Sequence, residues 1–321
     1  MNNTITSADN TKRVAIVCNP FAGRGQAISM AKQAEAFCKR NAWQVVLNTR
    51  STHAGHIENT LSKKLSGTAD LVIVIGGDGT LRELITGLRK YNVKVDIAFI
   101  PMGNANVVAR ELGIPLNPQK ALEMLTSSTA VPIDLGVLTQ KNKEPMVFLA
   151  MLEIGFGAQI VHIANTLRTG KLQRLYQLWG DVVYAIAGIL SLMKKNSLAT
   201  SIRAEGVSSE STHIIISNMR TYAKGWSLTP DANCQDGLLD IAYNKTNSQL
   251  ATLATFFNAA KQKPSTKSRM GYAQLKEVQL TGQKNIFMQL DGDPIFFSGT
   301  ANVTIEKAAF TLHQAKVTNL A

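Results

Sequence analysis

Gly76-Gly77-Asp78-Gly79-Thr80 is the densest cluster of chemically suggestive residues in the chain, set between a strand-like run, Asp70 to Ile75, and a helix-like run, Leu81 to Leu88. A glycine turn at such a junction brings bare backbone N–H groups and a helix N-terminus against a bound anion, which favours a polyphosphate. Asp78 is suited to orienting a metal or a nucleophile beside the phosphates. Two more turns follow strand-like runs: Asn19-Pro20-Phe21-Ala22-Gly23-Arg24-Gly25 after Val14 to Cys18, and Pro101-Met102-Gly103-Asn104-Ala105-Asn106 after Ile97 to Ile100. In a parallel sheet with right-handed crossovers, such turns share the carboxyl edge and converge on one crevice. The first turn lacks both the G-x-G-x-x-G dinucleotide fingerprint and the G-K-[ST] of a Walker loop, so both of those nucleotide folds are set aside.

Two acidic motifs follow in the second half. Asp236-Gly237-Leu238-Leu239-Asp240 puts a carboxylate on a turn before a strand, and Asp291-Gly292-Asp293-Pro294 puts two more on a turn after the run Asn285 to Leu290. A tight Asp-Gly hairpin turn accounts for either one by itself. Their partnership with the phosphate turns is what points to chemistry.

The elements that must position these residues change character along the chain. Through about Asp134, short apolar strands (Val14 to Cys18, Trp43 to Asn48, Asp70 to Ile75, Ile97 to Ile100, Val131 to Leu135) alternate with helices at Gln26 to Lys39, Leu81 to Leu88 and Val107 to Leu112. That alternation predicts a doubly wound α/β domain. From Gly136 the runs are strand-length: Val147 to Leu152, His213 to Ser217, Leu239 to Tyr243, Glu277 to Thr281, Asn285 to Leu290 and Ala301 to Glu306. They predict a mainly antiparallel β domain with a helical insertion around Ile160 to Lys195. The expected division is residues 1–135, joined by a C-terminal tail of about 307–321, and residues 136–306, with the chemistry in the cleft between the halves.

Composition narrows the partners. The 321 residues are 45% apolar, enough for a large core, and 34 basic against 22 acidic residues give a net charge of +12, which attracts anionic lipid, nucleotide or nucleic acid. With 6% aromatic residues and no arginine-aromatic pattern, nucleic acid is set aside. Cys18, Cys38 and Cys234 have no metal-like or redox-like spacing and read as reduced residues of a cytoplasmic protein. The polar start, Met1 to Lys12, carries no secretory signal. The apolar stretch Leu175 to Met193 is interrupted by Gln177, Asp181 and two glycines and is too short to span a bilayer. The sequence therefore predicts a cytoplasmic protein, peripheral at the membrane. It would dock on an anionic surface through Lys171, Arg174, Lys194, Lys195, Lys261, Lys263 and Lys267. Oligomeric state is open, a homo-oligomer included.

With these motifs in order along nearly the whole chain, together with Asp134-Leu135-Gly136, Gly155-Phe156-Gly157 and Asn218, the sequence resembles the diacylglycerol kinase and sphingosine kinase superfamily, most closely its single-chain bacterial lipid kinases. The resemblance implies phosphorylation of a lipid hydroxyl by ATP with Mg2+, the nucleotide in the α/β domain and the lipid entering over the β domain. It implies that Asn19, Pro20, Ala22, Gly23, Arg24 and Thr49 line the nucleotide, with Gly76, Gly77, Asp78, Gly79, Thr80, Leu81 and Arg82, and with Gly103, Asn104 and Asn106. Asp236, with the carbonyls of Asn233 and Leu238, would hold a structural magnesium ion. Asp78, Asp291 and Asp293 are the catalytic candidates, and the general base is either Asp78 or Asp293. Four departures from the family pattern stand out. Asn104 replaces a Thr or Ser, Val107 and Gly157 stand where acids are common, and Asp293 replaces a Glu. An NAD kinase, which shares the Gly-Gly-Asp-Gly turn, and a non-catalytic nucleotide or lipid sensor are the competing readings.

Overall fold

The computed structural model describes residues 11–169, 199–222, 227–245 and 270–316, together with Gly188, Ser191 and Thr252. The chain divides into two compact units, Met1–Ile133 with Ala309–Ala321, and Asp134–Ala308.

The first unit is α/β. Strands β1 (Arg13–Cys18), β2 (Gln44–Arg50), β3 (Leu71–Gly76) and β4 (Asp96–Pro101) are parallel and lie in the order β4-β3-β1-β2. Every residue of β3, and all of β1 beyond Arg13, is buried, as expected of central strands covered on both faces. Helix α1 (Ala27–Arg40) crosses from β1 to β2. A π-helical turn at Ile57–Leu61 runs into the short α2 (Ser62–Lys64), and α3 (Asp78–Lys90) crosses from β3 to β4. Two short helices follow, α4 (Val107–Glu111) and α5 (Pro118–Met124). The latter starts at Asn117, whose side chain accepts the Lys120 N–H, with Pro118 in the first helical position.

The second unit is mainly antiparallel. Its elements are the later part of β5 (Thr129–Gln140), β6 (Met146–Phe148), β7 (Met151–Ile154), α6 (Phe156–Thr169), β8 (Thr200–Ala204), β9 (Val207–Ser211), β10 (Ile214–Ser217), β11 (Leu239–Asn244), β12 (Met270–Leu275), β13 (Glu277–Leu290) and most of β14 (Asp293–Gln314). The order β12-β11-β10-β7-β13-β14 buries Leu152, Ile154, Ile216, Ile241, Met288 and Phe297 in one core.

Several strand expectations change. The run Val147 to Leu152 is two strands, β6 and β7, because the N–H groups of Leu149, Ala150 and Met151 turn to the Asp291 carboxylate. Glu277 to Thr281 and Asn285 to Leu290 form one strand, β13, whose register shifts between Gly282 and Ile286. The place beside β4 belongs to the end of β14, where Thr311 pairs with Asp96 and Leu312 with Ile97 in parallel. The fifth strand of the expected alternation, Val131 to Leu135, falls within β5, which pairs with β14 and β6 instead. The β8-β9 hairpin and β12 have no counterpart in the sequence reading. No helix among the described residues is long and apolar enough to cross a membrane. The stretch Leu175 to Met193, apart from Gly188 and Ser191, and the seven basic residues expected to dock on lipid lie outside the described residues.

Candidate active site

The three glycine turns of the first unit are bonded to one another. Asn19 N–H donates to Ile75 O at 3.0 Å, Gly23 N–H to Met102 O at 2.9 Å and Met102 N–H to Gly76 O at 2.6 Å. Asn19 Nδ2 reaches Thr80 Oγ1 at 3.3 Å, which ties the first turn to the second. Gly76 leaves room for that hydroxyl, since a Cβ there would lie 2.5 Å from Thr80 Oγ1. In the first turn Gly23, Arg24 and Gly25 all have left-handed backbone, with φ of 58°, 54° and 88°. Arg24 is unusual there, because a side chain in that region is strained, and such strain gathers at functional sites.

Asp78 opens α3, yet its carboxylate is turned to the third turn. Oδ2 accepts the Val107 N–H at 3.0 Å and Oδ1 the Val108 N–H at 3.1 Å, so Asp78 caps α4. Val107, which stands where an acid is common, thus contributes its backbone. Asn106, also left-handed with φ 47°, is buried and exchanges two hydrogen bonds with Gly103, each of 2.9 Å, which closes the third turn. Its amide serves the loop. Gly79, Arg24 and Asn104 are exposed; Pro20, Ala22, Thr49, Gly77, Arg82 and Gly103 are half-buried. Leu81 has its side chain in the core, and its N–H returns to Gly77 O at 3.1 Å.

In the second unit the acidic motifs cross-link backbone. Leu290 pairs with Asp293, leaving Asp291 and Gly292 as a two-residue hairpin loop with φ of 49° and 88°, the signature of a type I′ turn. The Asp291 carboxylate accepts three N–H groups, from Leu149 at 2.7 Å, Ala150 at 2.9 Å and Met151 at 3.0 Å. Asp134 accepts from Gly237 at 2.6 Å and Ala308 at 2.7 Å, and Asn218 Nδ2 donates to the carbonyls of Asp134 and Leu149. Asp236 Oδ1 accepts the Leu238 N–H at 2.8 Å, while its own N–H leans on Asn233 O at 3.4 Å. The second acid of that motif, Asp240, is a core group. Burial raises its carboxyl, hydrogen bonds from Tyr272 and Gln274 pull the other way, and Asp236 and Asp231 add to the rise. Asp293 is exposed at the start of β14.

Comparison with known proteins identifies the family. Residues 13–138 match the diacylglycerol kinase catalytic domain, and residues 150–311 match the YegS C-terminal NAD kinase beta sandwich-like domain. The chain belongs to the diacylglycerol kinase family. A Pseudomonas aeruginosa relative described as "probable lipid kinase YegS-like" is 30% identical over 75% of this chain and 76% of its own. A Mycobacterium tuberculosis protein described as a diacylglycerol kinase is 27% identical over 89% and 88%. A solved diacylglycerol kinase structure from Bacillus anthracis shares the fold, with a TM-score of 0.69 at 19% identity over 96% of this chain and 99% of that one.

The protein is therefore a lipid kinase, and its family implies ATP as phosphoryl donor. The turns fit that donor: nothing lies within 4 Å of where a Cβ on Gly79 or Gly25 would project, and α3 presents its N-terminus at Gly77. Among the described residues no three His, Cys, Asp or Glu side chains gather as a metal cluster. The Asn233 to Leu238 turn fits magnesium in donor type alone, a carboxylate with two carbonyls, all hard oxygens.

Sequence reasoning missed one buried acid of the kinase. Glu153, on β7 between Leu152 and Ile154, has no exposed surface. The only signal in the sequence is a charge inside an otherwise apolar run.

Proposed function

We propose that this kinase phosphorylates a hydroxyl of a membrane lipid, with ATP held by the first unit and magnesium required. The observation that supports the reading best is the joining of three glycine turns at the carboxyl ends of β1, β3 and β4, with the Asp78 carboxylate fixing the third turn to the second.

The chain's own residues have three tasks. Backbone N–H groups of the glycine turns, with Arg24 as the cation, neutralise the polyphosphate and orient the γ-phosphoryl group. Asp78 organises the cradle by holding α4. Asp293 accepts the hydroxyl proton as the bond from lipid oxygen to γ-phosphorus forms and the bond from γ-phosphorus to the β,γ-bridging oxygen breaks, releasing ADP. An alkyl hydroxyl is too weak an acid to ionise beforehand, so the carboxylate acts as the bond forms. Asp291 supports Asp293 from the same turn. Magnesium, when bound, supplies charge neutralisation at the phosphates, and Asp236 with the carbonyls of Asn233 and Leu238 would hold a structural ion.

With a net charge of +12, the protein reaches its substrate by reversible docking on anionic lipid. Vesicle co-sedimentation tests this: binding should rise with anionic lipid fraction and fall with added salt. The function itself is tested by ATP consumption with extracted lipids beside the same assay with NAD. Transfer to lipid alone supports the reading. Transfer to NAD alone replaces it, and transfer to neither favours a sensor.

A further inference from the structure

Glu153 sits between two strand neighbours, Ile215 on β10 and Gln289 on β13. A carboxylate so buried is costly unless partnered. Its Oε2 accepts from the Tyr222 hydroxyl and from Gln289 Nε2, each at 2.9 Å, while Oε1 has no hydrogen-bond partner. His213 Nδ1 lies 3.8 Å from Oε1, beyond hydrogen-bonding reach. Helix α6 is cut away to admit the group: a Cβ on Gly157 would lie 1.9 Å from Oε1. The core thus accommodates an acid that the transfer step described above does not use.

Gln289 carries the connection outward. Its Nε2 donates to Glu153, and its Oε1 accepts the Gly292 N–H at 2.5 Å. A primary amide has one donor end and one acceptor end, so the acceptor at Glu153 decides which end faces Gly292. Were the amide reversed, two donors would meet at the turn. Gly292 lies between Asp291 and Asp293, and its φ of 88° is the left-handed backbone that the second position of a type I′ turn requires.

We propose that Glu153 is a positioning residue of the kinase: through the Gln289 amide it fixes the type I′ turn that carries Asp293. The proposal rests on the reading of Asp293 as proton acceptor. Burial pushes Glu153 up to about 7 and His213 down to about 4; Tyr222 faces Glu153 as a hydroxyl donor, and Gln289 and Gly157 have no titratable group. Of Glu153 and His213, Glu153 is the one that titrates near neutrality.

The test uses the whole protein labelled with 15N-glycine, with the Gly292 amide resonance assigned by its loss in Gly292→Ala. In the wild type that resonance should shift with a midpoint of about 7, and in Glu153→Gln the shift should vanish. With dioleoylglycerol in phosphatidylglycerol vesicles, Glu153→Ala should lose at least about tenfold in kcat while KM for ATP stays within about twofold, as expected when only the reacting carboxylate is misplaced. Glu153→Gln keeps the acceptor for Gln289 and should retain most of kcat while losing the pH step. A Gly292 resonance indifferent to both Glu153 variants, or an unchanged kcat in Glu153→Ala, overturns the proposal. If Glu153→Ala does not fold, Glu153→Gln decides through the resonance. A wild type that turns over no lipid while Gly292 titrates as expected would sink the functional reading and leave the coupling of Glu153 to the turn standing.

Discussion

A methyl group on Gly103 would lie 2.7 Å from the Cα of Gly77, so the second and third glycine turns touch backbone to backbone. Gly103→Ala must force them apart against the 2.6 Å bond from Met102 N–H to Gly76 O. Overpacking of this kind costs about 1–3 kcal/mol. We expect that loss in denaturant unfolding, with weaker binding of a non-hydrolysable ATP analogue by calorimetry. Binding equal to wild type would mean that this contact does not shape the cradle.

Asp78→Asn preserves shape but places an amide donor where a carboxylate oxygen meets the Val107 or Val108 N–H. The expected cost is roughly 1–3 kcal/mol of stability. Turnover should fall by about a hundredfold or more, because the third turn loses its anchor and the cradle its organising charge. A variant that melts lower yet turns over like wild type would reduce Asp78 to a helix cap.

Asp291 and Asp293, two residues apart, should separate cleanly. Asp291→Ala leaves three backbone N–H groups without their acceptor, at about 1–3 kcal/mol for each that stays dry, so the urea midpoint should drop sharply. Asp293→Asn changes an exposed position and should leave the unfolding free energy within about 0.5 kcal/mol of wild type. It should nevertheless cost about 10²–10⁴ in kcat with KM for ATP unchanged. Measuring both properties for both variants exchanges the two assignments if the pattern is reversed.

Glu153 and His213 make opposite contributions to stability against pH. Glu153, raised from 4.5 to about 7, holds a proton in the folded chain that the unfolded chain has released. Its contribution is therefore full at low pH and declines as pH rises from about 4.5 to about 7. His213, lowered from 6.5 to about 4, is neutral in the folded chain where the unfolded chain is charged, so its contribution declines as pH falls from 6.5 to about 4. Between 4.5 and 6.5 the two slopes oppose, since folding moves one proton from the imidazole to the carboxyl. Glu153→Gln should expose the His213 slope, a loss of stability toward acid of roughly a few kcal/mol. His213→Gln should expose the reverse slope. Parallel pH profiles in both variants would contradict the opposing assignment.

The glycine turns, the α/β texture of the first half and the β texture of the second are legible in the sequence because each is a local pattern. Glycines at strand-to-helix junctions report a backbone requirement, and apolar runs report burial, within a few residues of one another. The task of each acid is not local. Asp291, a catalytic candidate by its motif, also clamps backbone donors up to 142 residues away, and those same bonds split the run Val147 to Leu152 into β6 and β7. Asp78 is likewise engaged by Val107 and Val108 across the sheet edge. Glu153 reads as an interruption of an apolar strand until β13 brings Gln289 beside it and α6 presents a glycine in place of a side chain. Hydropathy and turn chemistry depend on sequence neighbours and determined the fold class. A carboxylate's protonation and role depend on which donors reach it and how far water is excluded, and only the tertiary structure decides those.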